Sequence, residues 1–269
     1  MAYQGDDQYL VWEDDQLENT FVELASRAQQ GNNVIVWEGV NKKELKAYPS
    51  YGFADDNDIR IEKLGIVKGY NKARVHGLTE EPLMLEVPIP GDHNLLNSVL
   101  AASLCLKAGC SKEEVENALA SFAGVQRRFE YVIKNDHCTF IDDYAHHPKE
   151  IDALISAVRE LYPDKKITGV FQPHLYSRTR DFADEFANSL SALDELILLP
   201  IYPAREKPIK GVDAKMLLEK VRLNEKSIVN KENLPLLISS RNPEILLTIG
   251  AGDISQLLPA VKQALIAKN

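Results

Sequence analysis

The chain has 269 residues, 45% hydrophobic and 26% charged, which is apolar material for one large domain or two ordinary ones. Lys and Arg number 31 against 40 Asp and Glu, a balance of −9 that argues against a nucleic-acid surface, since phosphate binding needs clustered cations. No apolar run is long enough to span a bilayer, the opening MAYQGDDQYL lacks a signal-peptide pattern, and Cys105, Cys110 and Cys138 form no CxxC, so the expectation is a cytoplasmic protein with buried or idle thiols.

In chain order, the first ~30 residues carry a helical pattern that stops near Gly31, ahead of an apolar strand, VIVWEG, at 34–39. From about Gly52 to Val87 short alternating pieces are broken by Gly and Pro, which predicts a small antiparallel sheet. GDHNLLNSVLAASLCLKAG reads as a helix from about 92 to 108, with Leu95, Leu96, Val99, Leu100 and Ala102 on one face and Gly109 as its stop. Ser111 followed by Glu114 is a capping box for a second helix.

After FAGVQRRFE the rhythm changes. Strands near 128–142, 166–171, 194–200 and 244–249 alternate with helices near 148–161, 177–191, 213–221 and 253–267. The fold class is therefore α/β, with a mainly parallel sheet covered by helices in the second part and a domain boundary near Gly124.

In open parallel sheets ligands bind beyond the carboxyl ends of strands. Two polar clusters fall there, DDYAHH after the strand ending near Ile141 and QPHLYSRTR after ITGVF, on strands expected to be adjacent. Either alone could be turn capping and solvated loop; two together favour a site. A metal held by His146, His147 and His174 is disfavoured, because adjacent histidines rarely converge on one ion. Asn94 and Asn97 are one helical turn apart, away from the leucine stripe, and an Asn amide can pair with adenine. Arg127 and Arg128 stand at the junction, where they could clamp phosphate or salt-bridge domains. GAGDI at 250–254 is a weak dinucleotide fingerprint that a tight strand-to-helix turn explains as well, and no G-x-x-x-x-G-K-[ST] occurs.

GDHNLLNSVLAA, GVQRRFE, DDYAHHPKEI, FQPHLYSRTRDF and IYPAREKPIKGV, in this order, resemble the Mur ligases of peptidoglycan synthesis. The resemblance runs over nearly the whole chain. It implies that residues 1–124 are the second half of the central ATPase domain and 125–269 the C-terminal Rossmann-like domain. The family's P-loop, Mg2+ ligands and UDP-binding domain would lie upstream, so the chain reads as a C-terminal piece expected to be inactive alone. The implied substrates are ATP with Mg2+, UDP-N-acetylmuramate and L-alanine; the rivals are a family member that attaches a recycled peptide and a non-catalytic nucleotide-binding module. Residue by residue, the resemblance gives His93, Asn94 and Asn97 to adenine, Arg127 or Arg128 to the ATP phosphates and Asp143 to the ribose. It gives Tyr144, His146, His174, Tyr176 and Arg178 to the amino-acid and acyl substrate, with His146 and Arg178 as the catalytic pair. Leu175 stands where some relatives carry a basic residue.

Overall fold

The structure, a computed structural model, describes residues 14–28, 34–40, 42–67 and 69–267. The chain divides into two compact units, 1–122 and 123–269. No helix among the described residues is long and apolar enough to cross a membrane.

The first unit opens with α1 (Asp14–Ala28); the expected stop at Gly31 lies outside the described residues. Its sheet has the order β1 (Val36–Trp37), β2 (Ser50–Gly52), β3 (Ile59–Val67), β4 (Tyr70–His76), β5 (Leu83–Val87). The last three strands are the antiparallel meander that the alternation predicts, but β1 pairs with β2 and β2 with β3 in parallel, so the sheet is mixed. Glu38 makes this possible. Its carboxylate accepts the N–H groups of Phe53 and Ala54 at 3.0 and 2.9 Å and the Asn57 amide at 2.5 Å, which ties the exit of β1 to the exit of β2. Gly52 leaves room for it, since a Cβ there would fall 2.1 Å from the Glu38 carboxyl carbon.

Strand alternation then sorts the residues by face. Ala73, Val75, Leu83, Leu85 and Val87 are buried and share a core with Leu95, Val99 and Ala102 of α2 (Asp92–Lys107). The other face carries ion pairs, Arg74 to Glu62 at 3.0 Å and Lys72 to Glu86 at 2.5 Å. The predicted capping box of α3 (Lys112–Ala120) is present: the Ser111 hydroxyl accepts from the Glu114 N–H at 3.2 Å, and the Ser111 N–H donates to the Glu114 carboxylate at 2.8 Å.

The second unit runs β6 (Glu130–Lys134), β7 (Thr139–Asp143), α4 (Pro148–Leu161), β8 (Ile167–Phe171), α5 (Tyr176–Asp181), α6 (Ala183–Leu190), β9 (Glu195–Leu198), α7 (Ala214–Lys220), β10 (Lys226–Ile228), α8 (Leu234–Arg241), β11 (Ile245–Ile249) and α9 (Leu258–Ile266). The sheet order is β10-β9-β8-β11-β7-β6, parallel throughout except for β6. β8 and β11 are buried along their whole length, as strands covered by helices on both faces must be.

Four expectations need correction. The single strand near 128–142 is a hairpin, turned where the Asn135 side-chain oxygen accepts the N–H groups of His137 and Cys138 at 3.0 and 2.9 Å. The helix expected over 177–191 breaks at Phe182, with ψ 23°, into α5 and α6. The segment 253–267 starts as a 3-10 turn over Asp253–Leu257 before α9. Finally, β7 and β8 are not neighbours: β11, the last strand of the sheet, lies between them.

Candidate active site

Because β7, β11 and β8 are parallel and in register, Asp143, Ile249 and Phe171 end level with one another. The chain leaves β7 for β8 by skipping a position, then continues outward to β9 and β10. This makes β11 the switch point, where loops part and a crevice forms beyond the strand ends.

The loops after β7 and β8 nevertheless meet over β11, and the glycines that follow it explain how. Gly250 has φ 140°, donates to the Asp143 carbonyl at 3.1 Å, and would place a Cβ 2.6 Å from the Gln172 carbonyl oxygen. A Cβ on Gly252 would fall 2.4 Å from the Gln172 side-chain oxygen. The GAGDI stretch is thus a packing device that lets two loops close over a third strand end. Gln172, fully buried, locks it: its amide donates to Asp253 at 2.8 Å, its side-chain oxygen accepts the Ile254 N–H at 2.9 Å, and Asp253 in turn pairs with Lys231 at 2.6 Å.

Arg127 joins the same knot from the other side. At φ 59° its guanidinium donates to the carbonyl of Gly250 and reaches that of Gly252 at 3.5 Å, pairs with Asp142 at 3.4 Å, and lies 4.8 Å from the centre of the Tyr144 ring. Asp142 is fully buried, and burial raises its carboxyl above the usual range against the Thr248 hydroxyl at 2.6 Å and the Arg127 charge. Arg127 is therefore engaged within its own unit. Among the described residues, Arg128, half-buried with its guanidinium 5.6 Å from the Tyr144 ring centre, makes no such set of bonds to strand ends.

Asp143 is held by two backbone donors, the Phe129 N–H at 2.8 Å on one oxygen and the Ala145 N–H at 2.8 Å on the other. Burial pushes its carboxyl up to about 6, with these bonds and the Arg128 charge opposing the shift. Each oxygen keeps acceptor capacity for a further donor.

His146 and His147, adjacent in sequence, do different work. His147 is the N-cap of α4: its Nδ1 accepts the Lys149 N–H at 3.3 Å, and burial holds its imidazole below the ordinary value against the pull of Glu150. His146 is buried, with Nδ1 3.0 Å from the Tyr144 carbonyl and 3.3 Å from the Glu150 carboxylate. Both are acceptors, so Nδ1 is the nitrogen that donates, and Nε2 is the one left to face the loop after β8 or a ligand. Glu150 also accepts the N–H groups of His146 and His147 at 2.9 and 3.1 Å, which fixes the loop in the orientation that the imidazole needs.

The β8 loop brings His174 to His146, ring centres 6.4 Å apart, and Tyr144 packs edge-on to His146 at 5.3 Å. His174 stacks on Tyr202, at 5.7 Å and 18° between planes. Leu175, at φ 69° and buried, donates its N–H to the Tyr202 carbonyl at 2.9 Å, so this position points a side chain into the core, where a cation would be costly. Glu206, from the loop after β9, accepts the Ser177 N–H at 2.9 Å and hydroxyl at 2.5 Å. Burial would raise its carboxyl, but these bonds and the Tyr176 N–H hold it below the usual range. Tyr176 and Arg178, both partly buried, ride on the short helix that Glu206 anchors.

In the first unit, Gly91 at φ 94° starts α2. The Asn94 amide donates to the Pro90 carbonyl at 2.7 Å, Asn97 is exposed, and His93 is partly exposed, all off the face buried by Leu95 and Val99. Glu150, Glu206, Gln172 and Tyr202 were not singled out in the sequence; only Glu150, three residues after an N-cap, carried a readable spacing.

Comparison with known proteins gives this arrangement a context. Residues 127–252 match the family described as Mur ligase, glutamate ligase domain. The chain is 42% identical over 251 residues to a UDP-N-acetylmuramate–L-alanine ligase of Christiangramia forsetii, covering 93% of this chain and 55% of that protein. It is 49% identical over 251 residues to the enzyme of the same name from Phocaeicola vulgatus, covering 90% of this chain and 54% of the relative. It therefore spans about half the length of these curated relatives. Among solved structures, a UDP-N-acetylmuramate-alanine ligase from Thermotoga maritima superposes with a TM-score of 0.74 at 24% identity, over 95% of this chain and 57% of that one, a likeness of fold.

Proposed function

Since this chain belongs to the Mur ligase family, we propose that it forms part of an ATP-dependent ligase joining L-alanine to the carboxylate of UDP-N-acetylmuramate, in the cytoplasm, for peptidoglycan synthesis. The observation that carries the reading is the meeting of the β7 and β8 loops over the glycine end of β11, with His146 and His174 6.4 Å apart.

The residues fit the groups assigned to them. Asn97 and His93, with Asn94 braced on Pro90, present amide and imidazole groups to adenine. Asp143, oriented by two N–H groups, keeps lone pairs for the ribose hydroxyls. Arg128 serves the phosphates, while Arg127 orders the strand ends beside it. ATP, when bound with Mg2+, supplies the phosphoryl group that activates the muramate carboxylate as an acyl phosphate; we assign the metal no ligand among the described residues. His146, with Nδ1 turned to the Tyr144 carbonyl, directs Nε2 to the ammonium of L-alanine and holds it or takes its proton ahead of attack. Arg178, His174, Tyr176 and Tyr144 orient the acyl and amino-acid groups, and the Arg178 guanidinium stabilises charge on the oxyanion and leaving phosphate.

The test is formation of UDP-N-acetylmuramoyl-L-alanine coupled to phosphate release. A ligase-competent polypeptide containing this sequence makes it from L-alanine, and the 269-residue chain alone does not. Turnover by the chain alone, or a competent polypeptide that ignores L-alanine, contradicts the proposal.

A further inference from the structure

The fold treats the three cysteines in two ways. Cys138 is buried, and burial pushes its thiol up to about 11. Cys105 and Cys110 are both exposed. They flank the end of α2, where the chain turns through Ala108 and through Gly109 at φ 96°. The Cys110 N–H donates to the Cys105 carbonyl at 3.1 Å, and inside that ring the Gly109 N–H donates to the Leu106 carbonyl at 3.0 Å. This nested pair of bonds is a Schellman motif, whose first and last residues are the ones whose side chains ordinarily touch. Here both are cysteine. With N and O 3.1 Å apart, covalent bond lengths cap the Cα separation at roughly 7 Å. Disulfides span about 4.4–6.8 Å. Nothing lies within 4 Å of a Cβ built on Gly109, so the turn is open to reagents.

We propose that Cys105 and Cys110 form a dithiol site that closes to an intramolecular disulfide by exchange with a small-molecule disulfide. One thiolate attacks the external disulfide, forming a mixed disulfide and releasing a thiolate that takes up a proton. The second thiolate attacks the protein sulfur of that mixed disulfide and expels the other half as a second thiol. Two protein thiols are oxidised and one external disulfide is reduced. The new bond staples the end of α2 to the residue before Ser111, the N-cap of α3, so the connection between the two helices becomes covalent.

The chain is incubated with oxidised glutathione, alkylated, and read by intact and peptide mass spectrometry. The expected product has lost two hydrogens, yields a linked peptide holding Cys105 and Cys110, and exposes Cys138 to alkylation only after unfolding. Cys110→Ser stops at a single glutathione adduct on Cys105. Gly109→Val keeps both thiols but disfavours the left-handed turn, and slows closure by about fivefold to tenfold. A second probe does not depend on disulfide geometry: phenylarsine oxide bridges two close sulfurs with loss of water, and binds the wild type roughly 100-fold more tightly than either single serine variant. Glutathione on both cysteines, disulfide-linked dimers, closure unaffected by Gly109→Val, or equal arsenical binding by all variants each overturns the proposal.

Discussion

The two units build their candidate binding residues in different ways. In the first, strands alternate between a buried and a charged face, and His93, Asn94 and Asn97 stand at the start of one helix, with Asn97 exposed. In the second, β8 and β11 are buried on both faces, and the candidate residues stand where strands end, packed against or hydrogen-bonded to the neighbouring loops. The first arrangement lets a side chain change without disturbing the fold. The second couples site and stability, so substitutions there should report on both.

Arg127 and Arg128, adjacent in sequence, give the sharpest contrast. Removing Arg127 leaves the fully buried Asp142 without its cation and frees the Gly250 carbonyl. Arg127→Ala should lower the unfolding free energy of the second unit by about 3–5 kcal/mol in urea titrations. Arg128→Ala should change it by less than about 1 kcal/mol while weakening nucleotide use in a competent ligase. Equal losses for the two variants would break the distinction between an ordering and a binding arginine.

Glycines repeat the comparison. Gly250→Ala meets the Gln172 carbonyl at 2.6 Å at φ 140°, whereas Gly109→Ala, at φ 96°, meets nothing within 4 Å. The first should cost about 2–3 kcal/mol and the second about 1 kcal/mol, measured by the same titration.

What the sequence revealed follows the same line. The capping box at Ser111 and the strand-end position of DDYAHH and QPHLYSR are local patterns, and both were readable. The insertion of β11 between β7 and β8 was not, because it depends on pairing between residues a hundred positions apart and leaves no local trace. The hairpin after β6 was missed for a different reason: Asn135 turns the chain through its side chain, inside a stretch that is otherwise strand-like. Glu206 and Gln172 act through long-range bonds, so neither had a spacing to betray it. In the first unit the parallel pairing of β1 and β2 rests on Glu38, whose three bonds reach fifteen or more positions along the chain.

Asp143 adds a pH signature to the second unit. Its folded carboxyl lies at about 6 against an ordinary 3.8, so between these values the folded state binds more protons than the unfolded state. The contribution to stability is fully present below about pH 4 and is lost as pH rises through 6. Relative to Asp143→Asn, the wild type should lose on the order of 2 kcal/mol across that window. Parallel pH profiles for the two proteins contradict the shift. The smallest effect belongs to the first unit: Ser111→Ala removes one half of a surface capping box and should lower its stability by about 1 kcal/mol, read by calorimetry.

The division of labour between the two kinds of site is tested most directly by steady-state kinetics of Asn97→Ala and His146→Ala in a ligase-competent polypeptide containing this sequence. The account predicts that Asn97→Ala raises the apparent KM for ATP by roughly tenfold and leaves that for L-alanine unchanged. His146→Ala should do the reverse, raising the KM for L-alanine or lowering kcat without affecting ATP. Equal losses for both substrates in either variant, tracking a fall in melting temperature, would contradict it and leave the meeting of the β7 and β8 loops as architecture alone.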